Sequence, residues 1–188
     1  AKGTGQRVSG ETCTHYLTTT KEVLDNPDFN EAAKFVCSPA LRDREDCEAL
    51  WQALSDGLLT AVSSDHCGID VAELKQAGRN DFTQIPNGSP GAGDRLHMVW
   101  TEGVCTGKLT RQKFVDVIAT QPAKINGIYP RKGTLAVGSD ADVVIFDPNY
   151  EGTVHLADNP NGVDYNLYEG RRQSGRVETV LLRGQVVG

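Results

Sequence analysis

The sequence predicts an α/β part followed by an all-β part. Three observations carry this. Cys47, Leu50, Trp51 and Leu54 recur at the spacing of one helix face. Short β-branched runs, clearest at Leu59 to Ser63, alternate with such helices. From Tyr129-Pro130 onward, Gly-rich turns separate β-branched runs and helical periodicity stops. The change of pattern falls near 128–133, so the expected division is 1–128 and 129–188.

The elements follow in order. Gln6 to Cys13 reads as a strand that closes in a polar loop. Thr19 to Asp28 is a polar connector or short helix, with Thr20 as its N-cap. Lys34 to Ser38 is a short apolar run stopped by Pro39. Asp43 to Leu54 is the clearest helix, ended by Gly57, and Leu59 to Ser63 is a strand. Asp65 to Gly93 is long, aperiodic and rich in Gly, Pro and Asn, as a functional loop would be. Arg95 to Gly103 is helical, with Leu96, Val99 and Trp100 on one face. Thr110 caps a helix to Ala119, and Pro122 opens a last short one. The β part offers runs at Gly133–Val137, Asp142–Phe146, Gly152–Leu156, Val177–Leu182 and Gln185–Val187.

Composition removes several function classes. At 188 residues the chain can bury a sizeable core. A net charge of −6 with scattered Lys and Arg argues against nucleic-acid binding, which needs clustered cations. No apolar run approaches the ~20 residues that cross a bilayer. No signal peptide opens the chain. Five cysteines lack any CxxC or zinc-ribbon spacing and fit a reducing cytoplasm. Both ends read as cut: the start, without Met, as a helix end running into a strand, the finish as a strand entering its neighbour. A fragment of a longer polypeptide is expected.

Few residues invite chemistry. Asp65 follows the run Leu59 to Ser63, where a strand gives way to a loop. A carboxylate there can bind a divalent cation or accept a proton, and it can equally be a helix N-cap or an Asx turn. Ser38, in Cys37-Ser38-Pro39, can hydrogen-bond a polar ligand or simply precede a proline stop. Asn87, in Ile85-Pro86-Asn87-Gly88, can pair with an amide or occupy a turn. His15, His66, His97 and His155 form no His-x-His or His-x3-His pair, and ligation by His15, beyond a strand end, is a remote reading. No nucleophile elbow surrounds Ser38, and the Gly88 to Gly93 run lacks the P-loop lysine.

Taken together, several segments are familiar. Gly10-Glu11-Thr12-Cys13, Cys37-Ser38-Pro39-Ala40-Leu41-Arg42 and Ser64-Asp65-His66-Cys67 resemble the later barrel segments of the dihydropyrimidinase and D-hydantoinase family. So do Asp81-Phe82-Thr83-Gln84-Ile85-Pro86-Asn87-Gly88, Lys132-Gly133-Thr134 through Asp147-Pro148, and Val163-Asp164-Tyr165-Asn166-Leu167-Tyr168-Glu169-Gly170. The likeness covers essentially the whole chain.

This resemblance implies the last part of a metal-dependent (β/α)8 TIM barrel, followed by part of a small β-sandwich. It implies a hydrolase that opens hydantoins or 5,6-dihydropyrimidines to N-carbamoyl amino acids. Two divalent cations, usually zinc, would serve it, with a carboxylated lysine as bridge. Asp65 would be metal ligand and proton carrier, and Ser38 and Asn87 would hold the cyclic imide. The family's His-x-His, its lysine and two further histidines are absent from the chain, so residues 1–188 alone are expected to be inactive. The resemblance also implies a homotetramer or dimer. Two rivals remain: a non-catalytic scaffold relative of the family, in which the aspartate is typically replaced, and an allantoinase- or dihydroorotase-like enzyme.

Overall fold

The computed structural model describes residues 2–188. Strands β1 (Glu11–Cys13) and β2 (Ala61–Ser63) lie side by side and parallel, in the register Glu11 to Ala61 and Cys13 to Ser63. A parallel pair needs a crossover, and here helices supply it. They are α1 (Thr14–Thr18), a 3-10 turn at Lys21–Asp25, α2 (Phe29–Ala33) and α3 (Arg44–Ser55).

α3 sits where the sequence puts it. Asp43 and Asp46 form a capping box, in which the Asp43 N–H donates to Asp46 Oδ2 at 3.3 Å. Cys47, Trp51 and Leu54 are buried on one face. Gly57, at a φ of 75°, turns the chain out of the helix. Trp51 satisfies its only polar atom by donating Nε1 to the Leu17 carbonyl at 2.9 Å.

After the 65–93 loop, α4 (Arg95–Val99) continues as a π-helical turn, Trp100–Val104. Thr110 Oγ1 accepts from the Lys113 N–H at 3.1 Å and opens α5 (Arg111–Val115). A second π turn, Asp116–Thr120, joins α5 to α6 (Gln121–Ile125). Leu17, Trp51, Leu54, Val62, Val99, Trp100, Leu109, Phe114 and Val117 form the larger core beneath β1 and β2.

The β part is a three-stranded antiparallel sheet of β3 (Val143–Thr153), β4 (Arg172–Leu182) and β5 (Gln185–Val186). It docks on the larger core through Phe146, whose ring meets Trp100 edge-on at 5.0 Å. Gly175, at a φ of 76°, passes so close that a Cβ there would run into the Phe146 and Trp100 rings. Between β3 and β4 the chain leaves the sheet as an arm, 154–171. Val154, Tyr165, Leu167 and Tyr168 of the arm bury themselves with Val71 and Met98 in a second core.

Two buried polar contacts fasten the arm. Asp94, only 1% exposed, accepts from the side-chain amides of Asn159, Asn161 and Asn166 at 2.7–3.1 Å. Burial alone would raise its carboxyl. The His97 ring 3.3 Å away and hydrogen bonds from Asn166 and Asn159 outweigh burial and hold it below the usual carboxylate range. Asp164 accepts the Val71 and Ala72 N–H groups at 2.9 and 2.8 Å, so the arm also grips the 65–93 loop.

Some expectations are corrected. The strand expected from Gln6 pairs only over Glu11–Cys13, because β2 offers three partners. The apolar run Lys34 to Ser38 leaves α2 through a turn at Lys34 and Phe35 and bends at Ser38. Gly133–Val137 makes no strand: Leu135 and Val137 stand exposed, and no neighbour supplies a ladder. Gly152–Leu156 divides into the end of β3 and a 3-10 turn at Leu156–Asp158. At the start of the chain there is one 3-10 turn, Lys2–Thr4, and Ala1 lies outside the described residues. All five cysteines are free. Among the described residues no helix is long and apolar enough to cross a membrane.

Candidate metal and substrate site

The parallel register places the site. Because Cys13 faces Ser63, the residues two beyond each, His15 and Asp65, leave neighbouring strands on the same side. That side is the carboxyl end of the pair, where α/β barrels carry their chemistry. Cys13 Sγ, a His15 ring nitrogen and an Asp65 carboxylate oxygen all lie within 4.8 Å of one another.

Each of the three differs in its chemistry. Asp65 is exposed and sits at a φ of 46°, a left-handed conformation unusual for a residue with a side chain. The backbone is therefore held in a strained shape where the carboxylate emerges. His15 is 4% exposed, and its Nε2 has no hydrogen-bond partner among the described residues. Burial lowers its pKa from the ordinary histidine value, and the Asp65 charge only partly opposes this, so the ring is neutral at pH 7. Burial pushes the Cys13 thiol up, and its sulfur instead lies 3.1 Å from Ser63 Oγ. A neutral imidazole and a carboxylate with a buried, unpartnered nitrogen between them fit a divalent cation of the zinc class. The Cys13 sulfur lies within reach of the same point and would join the set only as a thiolate.

Beside these donors opens a cavity of about 720 Å³, lined among others by Tyr16, Ser38, Arg42, Ser63, Asp65 and His66. Asp65 and Ser38, singled out separately in the sequence, thus share one cavity wall. Asn87 joins them through Ser38, whose Oγ donates to Asn87 Oδ1 at 3.0 Å. The three arrive from different segments: a turn after α2, the residue after next from β2, and the far end of the 65–93 loop. That loop is drawn back onto the strand end by a bridge between His66 and Ser89, with the Cys67 N–H donating to the Ser89 carbonyl at 2.9 Å.

His15 is the residue that sequence reasoning undervalued. Spacing along the chain reveals only ligand pairs on one segment, whereas this pair forms across two strands. The usable signal was positional: His15 follows Glu11-Thr12-Cys13 at the same offset at which Asp65 follows Ala61-Val62-Ser63. His66 turns away from this role, its Nδ1 accepting the Gly91 N–H at 3.3 Å. His97 stands 3.3 Å from Asp94, and His155 pairs with Glu169 at 3.1 Å.

The profile of the amidohydrolase family matches residues 4–187. The chain belongs to the amidohydrolase family. The chain is similar over its whole length to the D-hydantoinase of Ralstonia pickettii, at 49% identity over 187 residues. It is 45% identical to the D-hydantoinase of Geobacillus stearothermophilus over the same span. In each case it spans 40% of the relative's length. Among solved structures, the D-hydantoinase of a Bacillus species superposes with a TM-score of 0.96 at 47% identity, covering 99% of this chain and 41% of that one. The L-hydantoinase of Arthrobacter aurescens superposes with a TM-score of 0.88 at 33% identity, covering 99% and 40%. The amidohydrolase fold is therefore that of hydantoinase barrels, and β1 and β2 are neighbouring barrel strands.

Proposed function

We propose that this chain is the C-terminal part of a metal-dependent cyclic amidohydrolase that opens hydantoins or 5,6-dihydropyrimidines to N-carbamoyl amino acids. One observation carries the reading: Asp65 and Ser38 share a cavity at the carboxyl end of two barrel strands, and Asn87 is hydrogen-bonded to Ser38. The D-hydantoinases to which it is 45–49% identical support the substrate class. The division at 128/129, an assembly into tetramers or dimers and a cytoplasmic location belong to the same proposal.

Two divalent cations, zinc in this reading, supply water activation and polarisation of the ring carbonyl when bound. Asp65, with His15 beside it, is this chain's share of the ligands, and the rest, including a carboxylated lysine, lie outside residues 1–188. The Asp65 carboxylate also accepts a proton from the attacking water and returns it to the ring nitrogen as the C–N bond breaks. The Ser38–Asn87 pair offers a hydroxyl and an amide, both able to donate and to accept. That matches a ring imide, which presents C=O beside N–H. Their service is orientation, which brings the reacting atoms into line before the proton moves.

The test uses the full-length enzyme with dihydrouracil and hydantoin as substrates. Asp65→Asn keeps the backbone geometry and removes the charge. Turnover should fall at least a thousandfold, with loss of bound metal. Normal turnover and full metal content in this variant would remove Asp65 from the mechanism.

A further inference from the structure

Lys75 is the most deeply buried charge in the 65–93 loop, with no solvent exposure. Its Nζ donates to the Ala33 carbonyl at 2.7 Å, the Gly88 carbonyl at 2.8 Å and the Val36 carbonyl at 3.5 Å. Among the described residues none of these bonds goes to a carboxylate. An ammonium has three donors, and here all three are directed at main-chain oxygens. Two of those oxygens matter for the site. Val36 stands two residues before Ser38, and Gly88 directly follows Asn87.

We propose that Lys75 is the positioning residue of the ureide-binding pair: one buried ammonium, bonded at 2.8 Å to the Gly88 carbonyl next to Asn87 and in longer contact, at 3.5 Å, with the Val36 carbonyl two residues before Ser38, tunes the orientation between them. This rests on the functional reading above and extends it to a residue outside the cavity.

Lys75 shares the junction with two direct bonds between the segments. The Gly88 N–H also donates to the Val36 carbonyl at 2.9 Å, and Ser89 Oγ to the Lys34 carbonyl at 2.6 Å, so the two segments meet edge to edge here. Gly88 adopts a φ of 119° and lies so near Cys67 that no side chain fits, which makes this backbone path specific. Three carbonyl oxygens crowd one point, and their like partial charges repel unless a cation lies between them. Without the ammonium, the Gly88 N–H to Val36 bond still joins the two segments, but repulsion among the carbonyl oxygens changes their relative orientation, and the 3.0 Å contact from Ser38 to Asn87 loosens. A hydroxyl and an amide meant to bind one rigid ring together tolerate little such drift.

The experiment is a double-mutant cycle in the full-length enzyme with hydantoin as substrate. Lys75→Met removes the donors and keeps an apolar stem. KM should rise at least tenfold, kcat should change less, and metal content should stay at the wild-type level. In the Lys75→Met background, Ser38→Ala should add little to KM, because the pair is already disengaged. A folded Lys75→Met enzyme with wild-type KM overturns the proposal, and so does a Ser38→Ala effect undiminished in that background. Lys75→Gln, which keeps two donors, should give an intermediate KM and serves where the Met variant fails to fold. A protein that folds with neither residue would show that Lys75 holds the fold rather than the pair, and would equally overturn it. Absence of hydantoin turnover in the wild type would instead sink the functional reading itself.

Discussion

Replacing Asp94 by alanine should release the arm without touching the cavity. The carboxylate is buried and is the shared acceptor of three asparagine amides. Of these, Asn166 is 4% exposed and would be left with a buried, unpaired donor, at about 2 kcal/mol. Asn159 and Asn161 are half-buried and regain water, so each loses about 1 kcal/mol. The arm should therefore open more easily by about 4 kcal/mol, close to a thousandfold in the opening equilibrium. Hydrogen exchange reads this directly. The Tyr168 N–H, bonded to Asn166 Oδ1 at 2.8 Å, and the Val71 N–H, bonded to Asp164 Oδ1, should both exchange faster by that factor. The Cys47 and Trp51 amides in α3, remote from the arm, should not change. An acceleration of less than tenfold at Tyr168 and Val71 would mean that apolar burial of Tyr165, Leu167 and Tyr168 holds the arm, and the polar hub reasoning would fail.

Two further outcomes are expected. Burial lowers the Lys75 pKa from 10.5 to about 8. Below pH 8 the ammonium is charged in both states and its full desolvation penalty is present. Between pH 8 and 10.5 the unfolded chain holds the extra proton, so stability rises with pH in that window, by up to about 3 kcal/mol. The wild-type minus Lys75→Met difference in denaturant-unfolding free energy should follow that rise, and a flat difference would contradict the assignment. Gly175→Ala should destabilise the docking of β4 by about 2–4 kcal/mol, since a methyl meets the Phe146 and Trp100 rings at a positive φ. A Tm equal to wild type would show that those rings can step aside.

Helices were legible where caps and periodicity agreed. α3 carries Asp43, one apolar face and Gly57, and each signal is local. Strands were legible as residues but not as ladders. Val137 is β-branched and unpaired, while β3 runs through Pro148 to Thr153, taking up the irregularity as a register shift between Asp147 and Glu151. Pairing is a property of two segments, and one segment does not reveal its partner. The site divides in the same way. Asp65, Ser38 and Asn87 carry motif chemistry that can be read in line. His15, a remote reading in the sequence, gains weight only through the register of β1 against β2, which sets it beside Asp65. Lys75 left no trace at all, because an ammonium that bonds main-chain carbonyls makes no demand on the residue types around it.

The left-handed turn at Asp65 has a consequence for how this position can change. Glycine would sit there at ease, freed from the torsional burden the carboxylate now bears. Losing the carboxylate is thus the relaxed direction for the polypeptide, and keeping it carries a torsional cost. A screen that selects only for robustness would drift toward glycine at this one residue, so a selection meant to keep the proposed role of Asp65 must score that role alongside thermal stability.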